Sequence, residues 1–528
     1  RGLRIRKPEE FQVKDASDYF YLMADQGILL DKAERVQLIE AQVDTLINQV
    51  NGRYLADPAL LSEVGNLVES PTSVIGSFDP GHLNLPREVL ISVMKKHQRY
   101  FPVFKPIEEH MGRTSGLDVS EPGGEEAELM PYFITVANKP SQGAEPFTSG
   151  ELITEGNQHV IRARFADADF FVRDDLKHKL AEFLPRLGTL VFQTKLGSML
   201  DKTQRITSLV DTLSPGLGLS KAESATAHRA AELCKADLAT KMVIEMTSLQ
   251  GIMGRYYALV SGESQPVGEA IFEHNLPRFA GDVLPKTRPG LVVGLADRLD
   301  TLAGLFAAGM APSGARDPFG QRRAALGLVQ ALIAQNVSFD LRNGLEAAVS
   351  LLPIPVEPEN LSACQEFVIE RLRNMLLESG YRYDVVDAVI SAQGSNPART
   401  FQSVHQLSEW VTRSDWHSIL PAYARCVRIT RDLGQRFELN PNGLAEKAEE
   451  DLYNDLLQAE KCLHMTRVQT VNSFLVAFLP IIPAVNRFFD EVLVMTEDET
   501  LRQNRLALLQ RIVALGSAVA DMSKLEGF

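Results

Sequence analysis

The stretch from His274 to Val329 reads HNLPRFAGDVLPKTRPGLVVGLADRLDTLAGLFAAGMAPSGARDPFGQRRAALGLV, and its reading decides the fold. It lies inside a longer region, Leu152 to about Asn336, where Leu, Ala, Met and Ile recur at spacings of three and four, the period of a helix. Breaks fall at Ser214 to Gly218, at Gly262 to Pro266 and at Pro285 to Pro289. Asp317 followed by Pro318 predicts a helix opening, because a carboxylate can cap the free amides while proline occupies the first turn. Arg322 and Arg323 then stand near that helix's N-terminal end.

Downstream, Ser338 to the C-terminus is again helical in pattern and lacks strand alternation. Leu506, Leu509, Ile512 and Val513 form one apolar face of a last helix, with Arg502, Arg505 and Arg511 largely on the other. Upstream the signals are mixed. Ala33 to Val50 carries Val36, Ile39, Val43, Leu46 and Ile47 at helical spacing, Leu85 to Tyr100 predicts a second helix with Pro86 at its start, and Tyr132 to Ala137 suits a strand. Between Lys105 and Met130 lies a Gly-, Glu- and Pro-rich insertion that reads as a long surface loop or lid. The expected architecture is mainly α with an N-terminal mixed α/β region, divided near residues 150 and 340.

Composition bounds the function. A chain of 528 residues carries three or four domains at about 150 residues each. Its 45% hydrophobic and 23% charged content is that of an ordinary soluble globular protein, and no uninterrupted apolar run reaches the ~18 residues of a membrane span. The chain starts at Arg1 without the apolar core of a secretory signal, so it reads as a fragment. Cys234, Cys364, Cys426 and Cys462 are scattered with no CxxC pair, which argues against a zinc ribbon or disulfide framework and for a reducing compartment. A net charge of −14 opposes nucleic-acid binding if taken globally. Its distribution does not: acidic residues cluster in Glu121 to Glu128 and Glu446 to Asp455, whereas Arg278, Lys286, Arg288, Arg322 and Arg323 gather in the opening stretch, a local basic face compatible with RNA. No phosphate-cradling GxxxxGK[ST] loop, GxSxG elbow or HExxH motif occurs.

The segments LPRFAGD, ADRLDTLAGLF and DPFGQRRAALG are not forced by any one secondary structure, and together they resemble the central signature of the beta subunit of bacterial-type glycyl-tRNA synthetase. LPREVLISVMKKHQRYF, VIRARFADADFF, VFQTKLGSMLDKTQRI and AELCKADLATKMVIEMTSLQGIMGRYYA extend the resemblance upstream, and RFFDEVLVM and LRQNRLALLQRI extend it downstream. The resemblance implies three domains: a mixed α/β body over 1–150, a helical domain similar to the HD metal phosphohydrolases over 151–340, and a helical linker with an anticodon-binding bundle over 341–528. HD enzymes hold a divalent metal with an adjacent His–Asp doublet. Here the matching segment, AELCKADL, offers Lys235, Ala236 and Asp237, so neither a metal site nor a catalytic site is expected in this chain. Asp297 and Asp300, with His228 and His274 nearby, could rebuild a site; the plainer expectation is that the aspartates bind backbone groups or arginines such as Arg298. Lys195, Lys202 and Arg205 read as a solvated helix face.

The implied activity is tRNA recognition in an ATP-dependent glycine–tRNA ligase. ATP and Mg2+ would act at the alpha part, in an alpha2beta2 assembly or a dimer of fused chains, in a bacterial cytoplasm or an organelle, with neither DNA nor membrane as partner. The candidate RNA-binding residues are Arg278, Arg322 and Arg323 in the signature, and Arg425, Arg428 and Arg431, whose spacing of three places them on one side of a helix. Glycine anticodons carry two cytosines, whose amino donor and ring acceptors suit carboxylate and arginine partners. Tyr423, Trp410 and Trp416 lie close by and could stack on bases, although the tryptophans read as core. The rival functions are a self-sufficient metal phosphohydrolase and a scaffold without RNA affinity.

Overall fold

The computed structural model describes residues 12–106, 127–138, 150–466 and 468–528. Positions 107–126 of the predicted insertion, and with them most of the first acidic cluster, lie outside the described residues, as does Arg1. The chain divides into two units, one made of 1–184 with 236–263, the other of 185–235 with 264–528. Helices dominate both.

The first unit holds a three-stranded antiparallel sheet in the order β1 (Pro71–Ser77), β3 (Leu129–Asn138), β2 (Phe101–Phe104), with Val74 opposite Thr135 and Phe101 opposite Ile134. The predicted Ala33–Val50 helix is Lys32–Gln49, opened by the Asp31 carboxylate, which accepts from the Ala33 and Glu34 amides. Its buried Ile39, Val43 and Ile47 pack on Leu60, Leu61 and Val64 of helix Pro58–Leu67 and on Phe101, Val103 and Ile134 of the sheet. The Leu85–Tyr100 prediction becomes helix Arg87–Ser92 with a wider π-type turn over Val93–Gln98. Gly76 lets the Phe133 ring lie on the sheet, since a Cβ there would stand 2.4 Å from that ring. Helix Gly150–Asp175 ends on a buried carboxylate: Asp175 accepts from the Lys241 and Met242 amides and from the Tyr257 hydroxyl, fixing the start of helix Lys241–Glu245.

The second unit is helical apart from one short hairpin, β4 (Val191–Gln193) and β5 (Gly197–Ser198). At its centre is helix Arg288–Ala307, buried on nearly every side and packed against helices Met199–Gly216, Lys221–Leu233, Gln265–Glu273, Gln321–Ala334 and Leu341–Val349. An all-round apolar helix must sit in the middle of its unit, and the small Gly290, Gly294 and Gly304 let neighbours approach it. The Asp317 opening is corrected in detail. The helix begins at Gln321, and the Asp317 carboxylate reaches forward across the turn to accept from the Gln321 and Arg322 amides at 2.8 and 2.9 Å. Pro318 therefore belongs to the turn, and left-handed Gly320 (φ 64°) completes it.

Towards the C-terminus, helices Trp416–Thr430, Lys447–His464, Val471–Phe478, Ile482–Glu491 and Glu499–Ala514 form a bundle. Its aromatic centre is Tyr423, Phe474 and Phe478, with the Tyr423 hydroxyl donating to the Val513 carbonyl at 2.7 Å. Val471–Glu491 is the one stretch among the described residues long and apolar enough to cross a membrane, at mean hydropathy 1.4. It is broken around Pro480 and sends Phe474, Phe478, Val485 and Phe488 into the bundle core. The last helix departs from the expected polar face. Arg505 is buried and ion-paired to Glu446 at 2.7 Å and to Glu449, because its partners stand some 56 residues away in the chain, out of reach of a single-helix reading.

Candidate functional site

Helix Met199–Gly216 starts with a reciprocal cap, in which Ser198 Oγ accepts from the Asp201 amide and the Asp201 carboxylate accepts from the Ser198 amide. That start points Lys202 and Arg205, three apart, at Asp297 and Asp300, three apart on the central helix. Lys202 Nζ lies 2.9 Å from Asp300 Oδ2 and 3.0 Å from Asp297 Oδ1, and donates to Thr301 Oγ1 at 2.7 Å. Arg205 Nε donates to Asp300 Oδ1 at 2.6 Å. Lys235 Nζ reaches Asp297 Oδ2 at 2.7 Å and His274 Nε2 at 3.0 Å. Lys202 and Arg205 are thus buried partners of carboxylates, not a solvated face. Arg298 is not the aspartates' partner either; it donates to the carbonyls of His274, Gly294 and Leu276 and pins the turn before the LPRFAGD loop.

Protonation states follow from these contacts. His274 Nδ1 faces the Ile271 carbonyl and so carries the proton, leaving Nε2 to accept from Lys235. Burial, reinforced by the Lys235 charge, pushes the imidazole down to about 3, so it is neutral. Burial alone would raise the Asp297 carboxyl, but Lys235 and Lys202 outweigh it and hold the group well below the carboxylate range. Burial would likewise lower the Lys202 ammonium, yet Asp300 and Asp297 keep it above its ordinary value.

This constellation does not fit a metal ion. The imidazole lone pair accepts from Lys235, each Asp297 oxygen has a lysine ammonium within 3.0 Å, and among the described residues no group of three or more His, Cys, Asp and Glu side chains could hold a cation. His228, the other histidine considered, sits instead with Asp211 at 2.8 Å and Glu232 at 3.5 Å.

The candidate RNA contacts have unequal surroundings. Arg278 makes a two-pronged pair with Asp282, 2.8 and 3.0 Å, and lies 5.6 Å from the rings of both Phe272 and Phe279, so its guanidinium is already engaged. Arg322 is half-buried and donates to the Gly314 carbonyl, while Arg323 is exposed and folds over Gly320, where a Cβ would stand 2.9 Å from its guanidinium. Arg425 lies over the Phe489 ring at 4.5 Å, and Arg428 lies over Phe528 at 5.4 Å. Arg431, just beyond the last turn of the same helix, is exposed, with Asp432 at 3.6 Å, and lines an open cavity. Tyr423 and Trp410 are core residues, the indole donating to Asn472 at 2.7 Å; Trp416 is half-buried.

Residues 1–391 match the family model described as glycyl-tRNA synthetase beta subunit, and residues 419–520 match that of the DALR anticodon binding domain. A glycine–tRNA ligase beta subunit from Moorella thermoacetica is 40% identical over 99% of this chain and 73% of its own length. The chain belongs to the glycyl-tRNA synthetase beta subunit family.

The corresponding protein of Clostridioides difficile is 37% identical over 99% of the chain and 73% of its own length. A chloroplastic/mitochondrial glycine–tRNA ligase of Arabidopsis thaliana is 36% identical over the whole chain, which spans 47% of that longer protein. The anticodon-binding match takes in the bundle from helix Trp416–Thr430 through helix Glu499–Ala514, and so contains Arg425, Arg428 and Arg431. Sequence reading missed the cavity beside Arg431, although Gly434, set between Arg431 and Arg436 at the end of a helix, was the signal for a loop presenting two cations.

Proposed function

We infer that this chain is the tRNA-recognising part of a glycine–tRNA ligase, holding tRNA(Gly) so that its 3′ end meets the alpha part, where glycine is activated with ATP and Mg2+. One observation carries this reading: a beta-subunit match over 1–391 followed by an anticodon-binding match over 419–520 on the same chain. Remote grip on the tRNA raises the rate of the chemical step by fixing the terminal ribose hydroxyl against the activated glycine. The assembly is an alpha2beta2 complex or a dimer of fused chains, acting in a bacterial cytoplasm or an organelle.

The helical region around Arg288–Ala307 we read as an HD-like fold whose metal has been superseded by side-chain cations. The support is local: Lys235 stands in the segment that resembles the metal doublet, and its ammonium lies between His274 and Asp297. This counts against the phosphohydrolase alternative. The deciding experiment is glycine attachment to tRNA(Gly) with and without added alpha subunit. Product should form only with both, and product from this chain alone would overturn the division of labour.

A further inference from the structure

Beside the C-terminal end of helix Trp416–Thr430 lies an open cavity of about 320 Å³, bounded by that helix, by the loop after it and by helix Glu499–Ala514. Apolar Val427, Val513 and Ala514 contribute to its wall, and Arg431, Arg436 and Gln510 are among its polar residues. The loop is tied down. Gln510 donates through Nε2 to the Gln435 carbonyl at 2.9 Å and accepts at Oε1 from the Phe437 amide at 3.0 Å, so one side chain fixes both flanks of Arg436.

With the loop anchored, its cations remain free to act outward. Arg436 is exposed and makes no hydrogen bond or ion pair among the described residues, and Arg431 has only the exposed Asp432 beside it. Arg425 and Arg428 differ, being laid over Phe489 and Phe528. A volume at the small end of ligand pockets, with partly apolar walls and two guanidiniums, is suited to a single planar polar ring.

We propose that this cavity takes one unstacked cytosine of the tRNA, with Arg431 and Arg436 donating to its ring acceptors and Gln510 as the positioning residue that holds the loop. Cytosine presents two adjacent acceptors, O2 and N3, on its pairing edge, which guanidinium donors can address, whereas uracil carries an N–H at N3. Single-stranded bases splayed into protein pockets are the usual route to sequence-specific RNA reading. The proposal rests on the anticodon-binding reading of the bundle and narrows it from three arginines on one helix to one of them plus a loop.

The test is titration of the full chain with tRNA(Gly) and with the same tRNA carrying uracil in place of each anticodon cytosine in turn, at several salt concentrations. Variants are Arg436→Ala, Arg428→Ala and Ala514→Trp, the last filling the cavity without altering charge, and each is first checked by thermal melting. The unaltered chain should prefer cytosine at one anticodon position. Arg436→Ala and Ala514→Trp should each reduce that preference by at least about fivefold, the low end of a lost base contact, while Arg428→Ala leaves it intact. Ala514→Trp should also leave the salt slope unchanged. Equal weakening of all the tRNAs with a shallower salt slope would mark a phosphate contact and overturn the base site, as would an undiminished preference in the folded Ala514→Trp chain. Failure of the unaltered chain to bind any tRNA would instead bring down the functional reading itself.

Discussion

Lys235 shows how much one side chain can decide. With Lys202 it neutralises Asp297 inside a unit where an isolated carboxylate would be prohibitive, so its loss should cost more than a surface ion pair. Lys235→Met is expected to destabilise the chain by about 3 kcal/mol in urea unfolding, the scale for removing one partner of a buried pair. Adding Asp297→Asn should recover part of that loss, a coupling read from the double-mutant cycle. His274 adds a pH dependence of definite sign. Its folded-state value, about 3, lies below the ordinary 6.5, so its neutral form contributes stability that is present above about 6.5 and is lost as pH falls from 6.5 towards 3. His228, raised first by its hydrogen bond to Asp211, works in the opposite sense, contributing below 6.5 and losing its effect as pH rises. Comparing His274→Gln with the unaltered chain removes that background. The variant should show a flatter fall in unfolding free energy between pH 6.5 and 4.5, and an identical slope would dismiss the buried neutral imidazole. The lysine drew attention before any coordinates, because AELCKADL carries no His–Asp pair and puts Lys235 beside Ala236 and Asp237. Its partner Lys202 did not, since a lysine three residues into a helix with polar neighbours carries no local sign of facing inward.

At the scale of elements, the periodic helices were readable wherever one face stayed apolar over several turns, as in Lys32–Gln49, and the strand at Tyr132–Ala137 was readable from its β-branched and aromatic run. Reading failed where a charged residue finds a partner far along the chain. Arg505 sits on a helix whose other arginines look solvated, yet it is closed over by Glu446 and Glu449. The cap on helix Gln321–Ala334 lies between these cases: the chemistry of Asp317 was legible, its four-residue reach was not. Replacing Asp317 by Ala should cost about 1 kcal/mol, as for other lost caps, and should loosen the turn that carries Arg322 and Arg323. Charge reversal at Arg322 and Arg323 should weaken binding to all tRNAs alike and make the affinity less sensitive to salt, the signature of lost phosphate contacts. A folded double variant with unchanged affinity and salt slope would take this helix start out of the RNA footprint. Circular dichroism separates that result from a collapsed helix.

For the molecule as a whole, the proposed reading divides chemistry and grip between an alpha part and this chain, so the chain by itself should not exchange pyrophosphate into ATP in the presence of glycine. Glycine-dependent exchange by a preparation shown to lack alpha would contradict that. The buried cluster has a further consequence for how such a subunit meets its surroundings. A cation built into a side chain is made with the polypeptide in fixed proportion and cannot be withdrawn by a chelator, displaced by a competing ion or lost when metal is scarce. Its weakness is alkali. Lys202 contributes fully below its ordinary value of 10.5 and ceases to do so as pH rises through the higher folded value, so strong base should open this unit while EDTA leaves its melting temperature unmoved.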